Sequence, residues 1–180
     1  LAAEWASLCD AFVMDAFGSA HRAHASTYGV PEILKNEGKQ TAIGFLVEKE
    51  VKSLSKCVFG AERPYVAILG GAKVSSKIKV IESLLTKVDY LIIGGAMAYT
   101  FLKSKGYNIG KSLLDMDSID FCKEMLEKYS NKILLPIDSV VSKEIGKDTI
   151  VKNNEDFDND DIGSDIGKTT IEKYSEILEK

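Results

Sequence analysis

The chain has 180 residues, 45% of them hydrophobic, and a formal net charge of −4, and its length allows one domain with or without part of a second. The acidic balance excludes a global basic field for nucleic acid or anionic membranes, and the apolar runs are too short to cross a bilayer. Three cysteines lie far apart without a C-x-x-C pair, which predicts reduced thiols in a cytoplasmic protein.

The first third of the sequence predicts a strand, a loop-rich stretch and an amphipathic helix. Residues 1–17 are expected to hold the end of a helix and a strand over 11–17. Residues 18–44 are expected to be rich in loops. In residues 46–59 the apolar side chains recur with helical spacing, so we expect a helix that Gly60 ends.

From residue 65 onward, short apolar runs alternate with amphipathic helical segments. The predicted strands cover residues 65–69, 89–93 and 132–142, and the predicted helices cover residues 76–88, 96–105 and 118–130. Strands that are apolar throughout and alternate with helices are typical of a parallel sheet covered on both faces. The polar, acidic stretch after Ser142 is expected to be a surface excursion before a last helix.

Two glycines and a lysine follow the first of these strands. Gly70 and Gly71 let a ligand approach the backbone, and a helix start offers unpaired N–H groups, an arrangement that suits phosphate. Lys73 could reach a phosphoryl group, and Lys77, four residues on, is expected on the same helix face. The pattern G-x-x-x-x-G-K-[ST] is absent, so this is not a Walker loop. A plain strand–turn–helix joint with solvated lysines is the alternative.

Gly94 and Gly95 repeat this arrangement at the end of the next strand. Because parallel strands end at one edge of a sheet, the two turns together predict a crevice for a nucleotide. Helix–sheet packing explains the second pair equally well. Asp138 lies where the last predicted strand reaches that edge, and a role in the ligand site, in a helix cap or in a turn is equally consistent with its position.

A further cluster places His21, Arg22 and His24 among small residues. The guanidinium of Arg22 suits a carboxylate or phosphate, and a histidine can add a second donor. No third ligand lies nearby, so a metal site at the two histidines is disfavoured. On the local pattern alone, a loop in which Arg22 only pairs with an acid is the better interpretation.

Three segments, DAFGSAHRAHAST, ERPYVAILGGAKVSSKI and IIGGAMAYTFL, stand in an order and at separations that resemble phosphoglycerate kinase. The resemblance covers essentially the whole chain and implies an α/β, three-layer, Rossmann-like parallel fold that is incomplete. It implies the last part of a substrate domain in residues 1–44, an interdomain helix in 45–61, and part of a nucleotide-binding domain in 62–180. The apolar start and the uncapped last helix also lead us to expect that both ends are cut.

The resemblance also implies roles for individual residues. His21 and Arg22 would bind 3-phosphoglycerate or 1,3-bisphosphoglycerate, and Arg22 and Lys73 would be catalytic. The residues expected to bind ADP or ATP are Gly71, Ala72, Lys73, Lys77, Gly94, Gly95, Ala96, Leu113 and Gly163. Ala96 stands where the family has a third glycine, which adds a methyl group to the implied adenine wall.

The implied reaction is reversible phosphoryl transfer from 1,3-bisphosphoglycerate to ADP in glycolysis, giving 3-phosphoglycerate and ATP, by a monomer that closes by hinge bending. Mg2+ would accompany the nucleotide, with its main protein ligand outside this sequence. The isolated chain is expected to be inactive, with no nucleic acid or membrane partner. Two alternatives are a non-catalytic nucleotide-binding or interaction module, and a dinucleotide-dependent dehydrogenase, which the absence of G-x-G-x-x-G disfavours.

Overall fold

The chain forms two compact units, as a computed structural model that describes residues 1–179 shows. The first unit is Leu1–Ala61, and the second begins at Glu62. No helix among the described residues is both long and apolar enough to cross a membrane.

The first unit is built on two short parallel strands. Its elements are α1 (Ala2–Ala6), β1 (Ala11–Met14), α2 (Val30–Asn36), β2 (Gln40–Ile43) and α3 (Phe45–Phe59). The strands β1 and β2 pair in register from Ala11 with Gln40 to Met14 with Ile43. A small core of buried side chains, from Ala6, Val30 and Leu34, joins α1 to α2.

The prediction that residues 18–44 are rich in loops is wrong for the second half of that stretch, which is mostly helix and strand. A π-helical turn over Ala25–Gly29 leads into α2, and β2 follows. Helix α2 has seven residues and β2 has four, which is too short for periodicity to separate them from a loop. The strand β1 is also shorter than predicted, because it ends at Met14 rather than at residue 17.

Helix α3 confirms the helix predicted for residues 46–59, and Gly60 follows its end. An acid from the segment after β1 caps its start: Asp15 Oδ1 accepts a hydrogen bond of 3.0 Å from the Val47 N–H. A Cβ at Gly44, the residue before the helix, would overlap the Asp15 carboxylate. The helix start therefore requires glycine at position 44.

The second unit contains a parallel sheet whose strands are connected through helices. Its elements up to the end of that sheet are β3 (Val66–Gly70), α4 (Ile78–Leu85), β4 (Tyr90–Gly94), α5 (Met97–Ser104), α6 (Ile119–Lys128) and β5 (Ile133–Leu134). The strand order is β3-β4-β5, all parallel, so the predicted α/β fold with a parallel sheet is confirmed. Leu91 and Ile93 of β4 are fully buried in one core with Ile81, Leu85 and Phe101 of the helices.

The strand predicted over residues 132–142 is two strands that belong to different sheets. Pro136, which has no N–H to donate, lies between β5 and β6 (Asp138–Ser142). Strand β6 pairs antiparallel with β7 (Ile150–Asn153) and β8 (Ile162–Ile166), and α7 (Lys168–Leu178) follows. The stretch after Ser142, predicted as a surface excursion, therefore supplies two strands of a second sheet.

A buried aspartate and two lysines hold the loop before β8. Asp161 is fully buried, and its Oδ1 and Oδ2 lie 2.8 Å from the amines of Lys143 and Lys152, respectively. Burial alone would raise the pKa of Asp161, but the attraction of the two ammonium groups outweighs it and lowers the pKa to about 2. The cluster therefore ties the loop to β6, which Lys143 follows, and to β7, which contains Lys152.

We expect this cluster to make the chain less stable in acid. The pKa of about 2 in the folded state lies below the ordinary value of 3.8, so the stabilisation is complete above about pH 4 and is lost toward about pH 2. Melting temperatures of Asp161→Asn between about pH 6 and about pH 2.5 should start lower and fall less steeply than those of the unsubstituted chain. Asp160→Asn, at an exposed position of the same loop, should keep the steep fall. An equally steep fall for Asp161→Asn would contradict this account.

Candidate functional site

The two glycine turns of the second unit touch each other at the carboxyl ends of β3 and β4. Gly70 and Gly94 are register partners at the ends of these strands. Gly71 and Gly95 follow, and the Met97 N–H donates a hydrogen bond of 2.9 Å to the carbonyl of Gly71. A Cβ on Gly95 would lie 2.8 Å from Gly71 N and 2.9 Å from Gly71 O. The two turns therefore form one backbone surface, and this contact leaves no space for a side chain at position 95.

Two lysines lie in the segment that follows Gly71. Lys77 is half-buried, and its Cε and Nζ would lie 3.2 Å and 3.7 Å from a Cβ placed on Gly71, so its side chain lies next to that glycine. Lys73 is exposed, and the next residue, Val74, is fully buried and anchors the segment in the core. Neither lysine forms an ion pair with an acid of residues 1–179. Both charges are therefore available to an anion.

The predicted helical relation between the two lysines is wrong. Residues Ser75–Lys77 form a 3-10 turn, and α4 begins only at Ile78. Lys73 therefore precedes the helix, and no shared helix face aligns it with Lys77. Lys77 reaches Gly71 instead because the turn folds its side chain back toward the end of β3.

A small cavity of about 70 Å³ joins the second glycine turn to β8. Gly95, Ala96, Tyr99 and Gly163 are among the residues that line it. A side chain at position 163 would overlap the ring of Tyr99, and the Gly163 N–H donates a hydrogen bond of 2.9 Å to Ser112 Oγ. The structure thus brings Gly163 to the turn at Gly95, although the two lie far apart in sequence.

Leu113, Gly94 and Ala72 do not line this cavity. Leu113 is 52% exposed and follows Ser112, the residue that holds Gly163. Gly94 is half-buried at the last position of β4. Ala72 is exposed in the segment between the Gly71 turn and Lys73. A nucleotide contact for each of these three residues stays a prediction.

The first unit holds the other predicted pair. His21 and Arg22 are exposed, and Arg22 Nε donates a hydrogen bond of 3.3 Å to His21 Nε2. Within residues 1–179, Arg22 forms no ion pair with an acid, which removes the interpretation that it only pairs with one. The remaining guanidinium nitrogens leave a planar set of donors for an anion.

Comparison with known proteins identifies the family to which the chain belongs. The family model described as phosphoglycerate kinase matches residues 1–180. The chain belongs to the phosphoglycerate kinase family. The phosphoglycerate kinase of Lactobacillus delbrueckii subsp. bulgaricus is 52% identical over 176 residues, and that of Enterococcus faecalis is 50% identical over 177 residues.

Two solved structures of phosphoglycerate kinases have the same fold. The enzyme from Coxiella burnetii superposes with a TM-score of 0.87 at 42% identity, and the one from Pyrococcus horikoshii OT3 with a TM-score of 0.84 at 30% identity. Each alignment covers 98% of this chain, but only 46% and 45% of those chains. The chain likewise spans 44% of the length of the Lactobacillus phosphoglycerate kinase. It therefore spans less than half the length of the phosphoglycerate kinases that it matches.

Asp138 caps a helix, which is one of the roles that the sequence left open for it. Its Oδ2 and Oδ1 accept hydrogen bonds of 2.9 Å and 2.8 Å from the N–H groups of Thr169 and Thr170 at the start of α7. Burial alone would raise the pKa of Asp138, but the hydrogen bonds from Thr170 and Thr169 outweigh this effect and lower the pKa. Because these donors occupy both carboxylate oxygens, Asp138 has a structural role at this edge of the phosphoglycerate kinase fold.

Sequence reasoning missed two polar residues that organise the site. Ser112 holds Gly163, and Asp115 accepts a hydrogen bond of 2.8 Å from the Ser75 N–H. Both lie in the motif IGKSLLD, residues 109–115, in which only Leu113 had a predicted role. The motif alone could not identify their partners, which lie 51 and 40 residues away in the sequence.

Proposed function

We propose that this chain forms part of a phosphoglycerate kinase that transfers a phosphoryl group from 1,3-bisphosphoglycerate to ADP, giving 3-phosphoglycerate and ATP. The proposal depends above all on the contact between the turns at Gly71 and Gly95, with Lys73 and Lys77 beside them. Its relatives are named phosphoglycerate kinase. Because the chain spans less than half of their length, the activity of the whole protein is an inference from the family.

The nucleotide is expected to lie across the carboxyl ends of β3 and β4. The backbone of Gly71 and Ala72 would face the phosphates, and the ammonium groups of Lys73 and Lys77 would neutralise their charge. Phosphoryl transfer needs little covalent help from the protein, so positioning and charge neutralisation supply most of the catalysis. On this proposal Lys73 contacts the phosphoryl group that moves.

The base and ribose are expected at the other end of this edge. Gly94, Gly95 and Ala96 would form one wall and Gly163 a second, since Gly95, Ala96 and Gly163 line one cavity. Leu113 would add apolar lining from the segment that holds Gly163. The cavity of about 70 Å³ is smaller than an adenine base, so we propose that it receives one edge of the base.

The first unit is proposed to bind the three-carbon substrate. Arg22 would hold the anionic end of 3-phosphoglycerate with its planar donors, and His21 would orient the guanidinium through their mutual hydrogen bond. We retain the assignment of residues 1–44 to a substrate domain, 45–61 to a connecting helix and 62–180 to a nucleotide domain. The separated cysteines support a cytoplasmic location, and we propose a monomer that acts on small molecules from the resemblance to the family alone.

The acids of this chain do not fit a magnesium site at the glycine turns. Within residues 1–179, three carboxylates that could share a cation occur only at Asp158, Asp160 and Asp161, and lysines already pair with this group. Asp115, which contacts the segment that follows the Gly71 turn, uses one oxygen to accept hydrogen bonds from Ser75 and Ser118. Mg2+ bound with ADP or ATP therefore stays a prediction, with its main protein ligand outside this sequence.

Calorimetric titration of the 180-residue chain with ADP and with AMP tests the nucleotide site. Lys73→Ala should weaken ADP binding about 10-fold or more and change AMP binding by less than about 2-fold, because Lys73 is proposed to contact the terminal phosphate. Lys79→Ala is the matched control, since Lys79 is an exposed lysine of α4, and it should leave both affinities unchanged.

Two outcomes would contradict the proposal. One is an unsubstituted chain that does not bind ADP, and the other is equal affinity for ADP in Lys73→Ala and Lys79→Ala. A coupled assay with 1,3-bisphosphoglycerate and ADP separates binding from catalysis. No turnover is expected from these 180 residues alone, because they span less than half of the length of the relatives.

A further inference from the structure

Two hydrogen bonds to residues elsewhere in the second unit hold the segment that carries Lys73. At its start, the carbonyl of Gly71 accepts the hydrogen bond from the Met97 N–H. At its end, the Ser75 N–H donates a hydrogen bond of 2.8 Å to Asp115 Oδ2. Lys73 lies midway between these two points, so the position of its backbone depends on both.

The acid at the second point is itself held in place. The Asp115 N–H donates a hydrogen bond of 3.1 Å to Oγ1 of Thr100, a fully buried residue of α5. Ser118 Oγ donates a hydrogen bond of 3.1 Å to the same Asp115 oxygen that accepts from Ser75. Helix α5 begins just after the Gly95 turn, so one rigid helix supports both points: directly through Met97 and indirectly through Thr100 and Asp115.

The electrostatic surroundings favour an ionised carboxylate at this position. The hydrogen bond from Ser75 makes the largest contribution that lowers the pKa of Asp115, and the charge of Lys73 lowers it further. A hydrogen bond to an ionised acceptor is stronger than one between neutral groups. The carboxylate thus both fixes the Ser75 backbone and attracts the nearby ammonium group.

We propose that Asp115 is a positioning residue that holds the Gly71–Ser75 segment, and with it Lys73, for contact with the diphosphate of a nucleotide. The part of this inference that concerns the nucleotide rests on the proposed function. The part that concerns the position of the Gly71–Ser75 segment rests on the hydrogen bonds alone. Asp115 acts through Ser75 and does not touch the nucleotide. Its loss should therefore affect phosphate recognition and leave recognition of the base unchanged.

The test combines amide hydrogen exchange with titrations of ADP and AMP on the full 180-residue chain. In Asp115→Ala, the Ser75 amide should exchange at least about 10-fold faster, because its acceptor is gone. ADP should bind about 10-fold more weakly, while the affinity for AMP should change by less than about 2-fold. Asp115→Asn keeps an oxygen that can accept the Ser75 N–H, and it should recover most of the lost protection and affinity.

Asp117→Asn is the matched control. Asp117 lies two positions away, is exposed, and has no hydrogen-bond or ion-pair partner within residues 1–179, so its removal should change neither exchange nor binding. Unchanged exchange at Ser75 in Asp115→Ala would overturn the proposal, as would equal losses of affinity for ADP and AMP. If the unsubstituted chain fails to bind ADP, the proposed function and the diphosphate contact both fail. Faster exchange at Ser75 would still support the holding of the segment.

Discussion

Replacing Gly95 with alanine is expected to lower the free energy of unfolding by about 2–4 kcal/mol and to weaken ADP binding more than about 10-fold. The added methyl group would lie 2.8 Å from Gly71 N and 2.9 Å from Gly71 O. Those are backbone atoms, so no side-chain rotation can relieve the overlap. Gly95 also has a φ of 63°, a conformation that costs a residue with a Cβ about 1 kcal/mol or more. Urea unfolding and calorimetric titration with ADP measure the two effects.

The neighbouring glycine provides a matched control for this prediction. A Cβ on Gly94 would meet no described atom within 4 Å, and its φ is not positive. Gly94→Ala should therefore change the free energy of unfolding by less than about 1 kcal/mol, since alanine reduces the entropy of the unfolded chain at no steric cost. Equal stability of the two variants would show that the contact between the turns is not as tight as the structure indicates.

Removal of the Asp138 carboxylate is expected to have the other large effect. Asp138→Ala should lower the free energy of unfolding by about 3–4 kcal/mol, because it leaves the N–H groups of Thr169 and Thr170 without acceptors. Asp138 is 2% exposed, so water cannot readily replace the lost oxygens. A Cβ at Gly167, the residue before α7, would overlap the Asp138 carboxylate, which shows how closely the acid fits this helix start. Urea unfolding at neutral pH measures the loss.

Two further variants separate the cap from a general effect of charge. Asp138→Asn keeps one acceptor oxygen and should lose about half as much stability as Asp138→Ala. Asp120→Asn removes a charge from the exposed first turn of α6, and it should cost less than about 1 kcal/mol. A loss below about 1 kcal/mol for Asp138→Ala would contradict the assignment of this residue as a cap.

The Asp138 cap also predicts a dependence on pH. Because the pKa of Asp138 is lowered on folding, its contribution is complete above the ordinary value of 3.8 and is lost as the pH falls through the value in the folded state. Asp138→Asn should therefore lose less of its stability on acidification than the unsubstituted chain.

Asp15 and Asp138 show that both units start a helix in the same way. In each unit an acid at the end of a strand, Asp15 just after β1 and Asp138 as the first residue of β6, caps a later helix. A glycine precedes that helix, Gly44 in the first unit and Gly167 in the second. In each unit the helix start follows a second strand, β2 or β8, that pairs with the strand beside the acid. The glycine is needed because the carboxylate occupies the position that a side chain would take.

The sequence by itself determined the α/β class, the helix over residues 46–59 and the two glycine turns. These signals are local: short apolar runs that alternate with amphipathic segments favour an α/β fold, and a glycine pair after a strand allows a close backbone contact. The order of the motifs also identified the family, which the match over residues 1–180 shows. The roles of Arg22, Lys73 and the other named residues stay predictions until binding is measured.

Only the tertiary structure decided which strands pair and which distant residues form hydrogen bonds with each other. Strand β2 forms because β1 lies beside it, and β6 leaves the parallel sheet because Pro136 interrupts the strand and β7 and β8 offer antiparallel partners. The bond from Ser75 to Asp115 and that from Thr170 to Asp138 join residues 40 and 32 positions apart. A carboxylate can accept a hydrogen bond from any N–H that the fold brings to it. The sequence therefore shows that an aspartate can accept hydrogen bonds, but it does not show which N–H groups will donate them.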